Sequence, residues 1–283
     1  MAVDLHTHST ASDGSDTPTE LVSKAARAGL TAIALTDHDT QEGVPEALAA
    51  AQKEGIELVP GVELSLDWPQ GGMHLVVLWL PPGPGPLQDR LAELRRGRDR
   101  RNIEIVERLN QLGLDITIEE VAARAGDGSV GRPHIAAVLV EKGYCADIAD
   151  AFDRYLASGR PAYVHRPRLA PEEAISLARA GGAVPVLAHP HTLGLDAPGE
   201  MADLLERLTG AGLVGIECHY GAYDEGGRRG MVALAERFGL VPSGGSDYHG
   251  SYKPGVELGT GKVGLGVPDS VLADLAAARR SGP

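Results

Sequence analysis

Residues 3–39 read VDLHTHSTASDGSDTPTELVSKAARAGLTAIALTDHD, and this stretch decides the fold. It begins and nearly ends with short apolar runs, at 3–8 and 31–36, that have the length and composition of buried strands. Between them, Thr17-Pro18-Thr19-Glu20 is a capping box with proline at the first helical position, and Gly29 ends the helix that follows. The stretch therefore predicts a strand–helix–strand unit.

The same alternation continues along most of the chain. Further strand candidates lie at residues 57–62, 74–80, 184–189, 213–219 and 240–243, and most are followed by helical patterns. Two of the helices have readable ends, because Gly55 follows 44–54 and Gly181-Gly182 follows 171–180. Seven units of this kind predict an α/β protein built around a parallel barrel.

The alternation is interrupted after the fourth strand candidate. Residues 81–86 (PPGPGP) form a stiff loop, and residues 87–166 show helical patterns only. We therefore predict a barrel domain made of 1–86 and 167–283, with a helical insert at 87–166. The insert has an arginine run, for which a solvated helix face paired with glutamates is favoured over a phosphate or RNA surface. The run consists of Arg90, Arg95, Arg96, Arg98, Arg100 and Arg101.

The composition excludes several classes of protein. The 283 residues contain 26 lysines and arginines against 39 aspartates and glutamates, a net charge of −13, which is unsuited to binding long duplex DNA. Two cysteines cannot build a disulfide framework, which favours a reducing cytoplasm. No apolar run approaches the ~18 residues of a membrane helix. A strand at residue 3 leaves no room for a signal peptide, so we expect a cytoplasmic protein.

Histidines and carboxylates concentrate at the ends of the predicted strands. In a parallel barrel the carboxyl ends of the strands form the functional face, so these side chains should converge there. His74 is the exception because it opens its strand, and a neighbouring loop or an antiparallel edge would be needed to bring it in. The residues concerned are His6, His8, Asp13, Asp37, His38, Glu63, His74, His189, His191, Glu217, His219, Asp247 and His249.

Each of these residues alone has an ordinary structural explanation, but together they predict a metal centre. His6 and His8 are two residues apart on a strand and therefore point to one face. Imidazoles and carboxylates that converge without a cation would be costly to desolvate. A donor set of histidine and carboxylate without thiolate favours Mn²⁺, Zn²⁺ or Fe²⁺. Two or three ions about 4 Å apart would suit hydrolysis of a phosphoester.

In their order along the chain, these motifs resemble the PHP (polymerase and histidinol phosphatase) superfamily. The matching segments are HTHSTASDG at 6–14, TDHD at 36–39, GVE at 61–63, His74, HPH at 189–191 and SDYH at 246–249. The resemblance implies a distorted (β/α)7 barrel with up to three metals. It implies His6, His8, Glu63 and Asp247 around the first ion, Asp13, His38 and His249 around the second, and Glu63, His74 and His189 around the third. Asp13 is a departure, because some members have histidine there.

Within the superfamily, the insert with Gly131-Arg132-Pro133-His134 resembles the bacterial phosphoesterases that act on nucleotide 3′,5′-bisphosphates. Some members of that group also degrade short RNA from its 5′ end. The resemblance therefore implies a metal-dependent phosphoesterase in which a metal-bridging hydroxide attacks phosphorus. The expected substrates are small phosphorylated molecules, either a nucleotide bisphosphate or short RNA.

The remaining polar residues are candidates for catalysis and substrate binding. His191 and Asp37 are the catalytic candidates, and His191 would contact phosphate or protonate the leaving oxygen. Arg132, His134 and His219 are the candidate substrate contacts, since a guanidinium offers a phosphate two parallel hydrogen bonds. The alternative for Arg132 is pairing with an acidic neighbour, and the alternative for His134 is a structural role.

Two other functions remain open at this point. A metal-dependent amide hydrolase could use the same hydroxide on a carbonyl, although clustered cationic groups around the metals would argue against it. A non-catalytic, polymerase-accessory metal-binding module is the other, but the ligand set is complete and no polymerase domain is attached. The native metal, the base preference and the oligomeric state stay open.

Overall fold

The computed structural model describes residues 2–125, 130–166, 168–197, 199–261 and 266–280. Within these residues, seven strands form one sheet in the order of the sequence, β1 to β7. The strands are Ala2–Asp4, Leu30–Leu35, Glu57–Ser65, His74–Leu78, Val184–Ala188, Gly215–His219 and Val241–Gly244. All seven predicted strands are present, although β1 ends at Asp4 instead of continuing through the two histidines.

The sheet curls into a nearly closed barrel. Beyond β7, the Asp247 amide donates to the carbonyl of His6, and the His8 amide donates to the carbonyl of Tyr248, both at 2.9 Å. Thr7 and Tyr248 pair as a parallel bridge, so the chain after β7 lies beside the chain after β1. The fold is a distorted α/β barrel of seven strands, as the sequence predicts.

One strand runs against the others, so the expectation of an all-parallel barrel is wrong at β4. This strand is antiparallel to both β3 and β5, whereas the other neighbouring pairs are parallel. A parallel connection needs a crossover of a dozen or more residues. Only residues 66–73 join β3 to β4, and Leu66 donates to the Met73 carbonyl at 2.9 Å across that connection. The reversal places His74 opposite Ser65 and Ala188, at the carboxyl ends of β3 and β5.

Helices cover the barrel, and the three whose ends the sequence indicates, at 18–27, 44–54 and 171–180, are present. They are α1 (Pro18–Arg27), α2 (Val44–Glu54), α7 (Pro171–Ala180), α8 (Glu200–Gly210), α9 (Glu225–Arg237) and α10 (Ser270–Arg280). Thr17 and Glu20 form the predicted reciprocal capping box of α1. Gly55 closes α2 with a φ of 71°, a left-handed conformation that glycine adopts without steric cost.

Alternate residues of the strands face two apolar clusters. In β2, Ala32 and Ala34 belong to a cluster that joins strands β1 to β5 and includes residues of α10. Ile33 and Leu35 point the other way, into a cluster with α1 and α2. This period of two is what a strand with both faces covered requires.

The chain divides into two compact units, one of Met1–Arg90 with Arg168–Pro283 and the other Leu91–Pro167. The second unit contains most of α3 (Pro86–Gln111), together with α4 (Ile118–Ala125), α5 (Arg132–Glu141) and α6 (Ile148–Ala151). It has its own apolar core, in which Ile105, Leu109, Ile135 and Leu139 are fully buried. Among the helices of the described residues, none is both long and apolar enough to cross a bilayer.

Candidate metal centre

Glu63 lies at the centre of a cluster of five histidines. Its Oε1 atom is 2.8 Å from His74 Nδ1 and 2.9 Å from His189 Nε2. Its Oε2 atom is 3.0 Å from His38 Nδ1, and 3.3 Å from the Nε2 atom of each of the two histidines that follow β1, His6 and His8. The carboxylate is 1% exposed and is reached from several strands, so it is placed to bridge more than one ion.

A second group of ligands lies beside His8 at the rim. Asp13 Oδ1 is 3.6 Å from His8 Nδ1 and 3.4 Å from His249 Nε2, while its Oδ2 is 3.7 Å from His38 Nε2. The rings of His8 and His249 stack with their centroids 4.0 Å apart. Asp13 is about half exposed, unlike Glu63, so this part of the centre is open to solvent.

Within the part of the chain that the structure describes, four overlapping groups offer ligand atoms that lie within 4.8 Å of one another. They are His8, Asp13, His38 and His249; His6, His8 and Asp247; His6, Glu63 and His189; and His38, Glu63 and His74. The structure thus brings together the nine residues named as ligands from the sequence. His8, His38, His6 and Glu63 each occur in more than one group, so the assignment of each residue to one ion stays a prediction.

The chemistry of these atoms fits divalent metals. Among the described residues, His6 Nε2, both ring nitrogens of His8, His38 Nδ1 and Glu63 Oε2 are buried without a hydrogen bond of good geometry. Buried polar atoms in this state are costly, and a cation would satisfy them. Imidazole and carboxylate donors without a thiolate suit Mn²⁺, Zn²⁺ or Fe²⁺.

Without metals, the cluster is held together by charge. Burial disfavours the charged form of His8, but the nearby carboxylates of Asp247, Glu63 and Asp13 outweigh it and raise its pKa to about 10. Burial would raise the pKa values of Glu63 and Asp247, yet the surrounding histidines hold both well below the ordinary range. In the metal-free chain, opposite charges on these histidines and carboxylates therefore stabilise one another.

Backbone geometry at two ligands shows how tightly the loops are fitted. His189 has a φ of 26° and Asp247 a φ of 54°, a left-handed region that histidine and aspartate enter more often than most residues. Next to Asp247, Gly245 packs on His6, where an added Cβ would collide with the backbone nitrogen and Cβ of that histidine. Glycine at 245 therefore permits the loop after β7 to approach the chain after β1.

Asp37, a catalytic candidate from the sequence, bonds to the loop that carries Asp13, and its catalytic role stays a prediction. Its Oδ1 accepts hydrogen bonds from the Ser9 amide at 2.8 Å and the Ser12 hydroxyl at 2.7 Å, and its Oδ2 accepts from the Ser9 hydroxyl at 2.7 Å. The carboxylate is 1% exposed and belongs to none of the four ligand groups. Its contacts fix the segment that carries Asp13.

Asp247 is oriented by two further residues that the sequence gave no reason to select. The Tyr220 hydroxyl donates to Asp247 Oδ2 at 2.7 Å, and the Lys253 ammonium also bonds that oxygen. The other oxygen, Oδ1, then faces His8 at 3.4 Å. Glu217, within β6, is among the carboxylates that the sequence places on the functional face, but the sequence assigns it no individual role.

Of the other candidates in the barrel, His191 has its ring centroid 6.2 Å from that of His189, and neither His191 nor His219 belongs to a ligand group. The His191 ring is exposed and its centroid is 5.2 Å from that of Tyr220 and 5.6 Å from that of Tyr223. Burial and the nearby His189 lower the pKa of His191. Burial and then the charge of Arg228 lower the pKa of His219.

The two candidates in the insert occupy the first turn of α5. Arg132 Nη1 donates to the Leu156 carbonyl at 3.1 Å, and its guanidinium lies 5.6 Å from the ring centroid of Phe152 and 5.8 Å from that of Tyr163. The structure gives Arg132 no acidic partner among the described residues. His134 Nδ1 accepts a hydrogen bond from the Gly131 amide at 3.0 Å, so this ring caps the helix.

Comparison with known proteins relates the chain to one family. Residues 4–159 match the family model of the PHP domain. A 3′,5′-nucleoside bisphosphate phosphatase from Chromobacterium violaceum is 35% identical over 91% of this chain and 90% of its own. A 5′-3′ exoribonuclease from Haemophilus influenzae is 36% identical over 87% of this chain and 89% of its own.

Two solved structures are similar over nearly the whole chain. One, described as a metal-dependent phosphoesterase from Bifidobacterium adolescentis, has a TM-score of 0.81 at 30% identity, covering 98% of this chain and 96% of its own. The other, described as an amidohydrolase from Chromobacterium violaceum with bound sulfate and no metal, has a TM-score of 0.82 at 32% identity, covering 98% and 97%.

Proposed function

The chain belongs to the PHP-domain family and is a metal-dependent phosphoesterase, and from that premise we propose that it hydrolyses phosphomonoesters of nucleotides. The first candidate substrates are 3′,5′-bisphosphonucleotides, and short 5′-phosphorylated RNA is the second. Relatives with these two activities align with about nine-tenths of the chain. The observation that carries the proposal is the set of four overlapping ligand groups around the buried Glu63.

We propose two or three divalent ions of manganese, zinc or iron as the cofactors. The nine clustered residues would hold them, with Glu63 shared between ions. When bound, such ions activate water at neutral pH and neutralise charge on the phosphoryl oxygens. The open rim around the half-exposed Asp13 is the side from which a phosphate could approach.

The chain's own residues have separate roles in this proposal. Asp247 and Glu63 accept contacts from several histidines and keep the ligand atoms together. Asp37 keeps the Asp13 loop in place through Ser9 and Ser12. His191, which no ligand group includes, is left to contact the phosphate or give a proton to the leaving oxygen.

Arg132 and the insert (87–166) would supply selectivity. Of the five N–H donors of a guanidinium, the contact with Leu156 occupies one. Enough donors remain for a bidentate contact with the phosphate that is not cleaved. His134 would contribute indirectly, since its Nδ1 fixes the start of the same helix, and His219 stays a candidate contact in the barrel.

The rival activity is amide hydrolysis, because a solved structure of similar fold is described as an amidohydrolase. That protein contains bound sulfate, a tetrahedral anion with the shape of phosphate, which supports a phosphate substrate here.

A reducing cytoplasm is the proposed location. Both cysteines, Cys145 and Cys218, are buried and unpaired, which is consistent with it.

Phosphate release in the presence of Mn²⁺ tests the proposal. The panel contains 3′,5′-bisphosphonucleotides, 5′-phosphorylated oligoribonucleotides, nucleoside monophosphates, histidinol phosphate and N-acyl amides. We expect the bisphosphonucleotides to be the best substrates and the amides to be inert. Glu63→Gln, which has the same shape but lacks the bridging charge, is the matched control for contaminating phosphatases. Turnover of an amide but of no phosphoester would refute the proposal, and metal binding without any turnover would favour an accessory module.

A further inference from the structure

Glu217 is a buried carboxylate whose two oxygens contact two different ligand segments. Its Oε1 is 2.8 Å from His6 Nδ1, and its Oε2 accepts a hydrogen bond of 2.6 Å from the His189 amide. Glu217 is 2% exposed and belongs to none of the four ligand groups. We propose that Glu217 is a positioning residue that sets the proton on His6 Nδ1 and holds the backbone of His189, so that His6 presents an unprotonated Nε2 to the metals and the His189 ring keeps its place in the cluster.

The first step of the argument is the state of the His6 ring. A carboxylate offers acceptors only, so the close contact with Oε1 requires a proton on His6 Nδ1. In a neutral ring that proton leaves the lone pair on Nε2. This atom is buried without a hydrogen bond of good geometry, 3.3 Å from Glu63 Oε2 and 3.7 Å from Asp247 Oδ1. Glu217 therefore selects the tautomer that can bind a metal inside the cluster.

The second step concerns His189, which adopts an unusual backbone conformation. Its φ of 26° and ψ of 61° need support from surrounding contacts. The bond from its amide to Glu217 supplies one such contact, immediately before Pro190 and the short helical turn that follows. With the backbone held, the ring lies with Nε2 at 2.9 Å from Glu63 Oε1. One side chain of β6 thus couples the segment after β1 to the segment after β5.

The substitution Glu217→Gln tests this role because it conserves shape and reverses one hydrogen bond. The amide of His189 can only donate, so the carboxamide oxygen must face it. The NH₂ group must then face His6 Nδ1, which becomes an acceptor, and the ring proton moves to Nε2. The variant keeps both hydrogen bonds but presents the wrong tautomer to the metal. Changes of this kind beyond the direct ligands typically cost about 10- to 100-fold in metal affinity.

The measurement is a competition titration of Co²⁺ between the metal-free protein and a chromogenic chelator at one fixed pH. We expect wild type to bind at least two ions and Glu217→Gln to bind at least one of them about 10- to 100-fold more weakly. The matched control is Asp16→Asn, another carboxylate-to-amide change in a buried residue, whose oxygens bond Lys24 and Tyr248. It should retain wild-type affinity, and equal losses in both variants would overturn the inference.

A second readout does not depend on the variant folding. Long-range ¹H–¹⁵N spectra of the Zn²⁺-loaded wild-type chain should show His6 with its proton on Nδ1, and the opposite tautomer would overturn the inference. Unchanged Co²⁺ affinity in Glu217→Gln would do the same. The inference rests on the proposed metal centre. A wild-type chain without tight metal binding would therefore refute that function and, with it, the role of Glu217, whereas tight binding in both proteins would refute the role of Glu217 alone.

Discussion

Raising the pH from 6.5 towards 10 should weaken the fold of the metal-free chain and strengthen its affinity for divalent metals. The perturbation acts on His8, which is completely buried and has a pKa of about 10 because of Asp247 and Glu63. A histidine whose pKa is raised in the folded state stabilises the fold fully below pH 6.5, and this stability is lost as the pH rises through about 10. Glu63 and Asp247 have lowered pKa values, so their contribution to stability changes only in the acidic range and is constant between pH 6.5 and 10.

The size of the change in metal affinity follows from the proton that a metal must displace from His8. At pH 7, three units below the pKa of His8, removing that proton costs about 4 kcal/mol, and at pH 9 it costs about 1.4 kcal/mol. The affinity of an ion that uses His8 should therefore rise about tenfold per pH unit, or about a hundredfold between pH 6.5 and 8.5. The pKa values of His6 and His38 are also raised, so further protons should make the dependence steeper.

Calorimetric titration with Mn²⁺ in buffers of different ionisation enthalpy measures the protons released, and thermal unfolding of the metal-free chain follows its stability. We expect at least one proton per chain and a falling midpoint temperature from pH 6.5 upwards. His191→Gln is the matched control, because His191 is exposed and lies outside the ligand groups, and it should leave the pH dependence unchanged. An affinity that is flat over this range, with no proton released, would refute the reasoning.

Two further predictions concern catalysis and selectivity. Asp13→Ala and His38→Ala should each reduce the number of ions bound and lower turnover strongly while the chain still folds, because Asp13 is about half exposed and His38 partly exposed at the rim. Near-normal turnover would remove these residues from the centre. Arg132→Ala should lower kcat/KM for a bisphosphorylated nucleotide about ten- to a hundredfold, because a charge-assisted contact contributes about 1.5–3 kcal/mol. It should affect an aryl phosphate far less, and Arg132→Lys should restore part of the loss. Equal losses on both substrates in steady-state kinetics would contradict a role in selectivity.

The strands of the barrel were predictable because each is a short apolar run between polar or glycine-containing segments. The direction of β4 was not, since an apolar run such as 74–78 has the same pattern whichever way it runs. The informative signal was the distance along the chain. The eight residues 66–73 are too few for a crossover with a helix, so an antiparallel hairpin was the available connection.

The candidate ligands were predictable because so many histidines and carboxylates fall at the ends of the predicted strands and because strand ends meet on one face. The different structural roles of the buried carboxylates were not predictable. Glu63 and Glu217 lie within buried strands, Asp37 follows one, and all three are almost completely buried, so their sequence surroundings are alike. The directions of the carboxylate oxygens separate Glu63 from Asp37, because those of Glu63 face histidine nitrogens and those of Asp37 face serine donors. Those directions depend on how loops distant in sequence pack together.

The antiparallel pairing of β4 with β5 also bears on the order in which the chain folds. Leu78 lies opposite Val184, yet residues 79–183 separate the two strands along the chain. Strands β1 to β4 are joined by shorter connections and can pair early, whereas pairing of β5 must await closure of a long segment, and contacts of this range slow folding. Closure entropy rises only slowly with length, by about 0.6 kcal/mol per doubling. Residues 91–167, which have their own core, shorten the disordered span if they collapse first. We therefore expect the barrel to acquire β5 to β7 last, and with them His189, Asp247 and His249, so that metal capture is among the final events of folding.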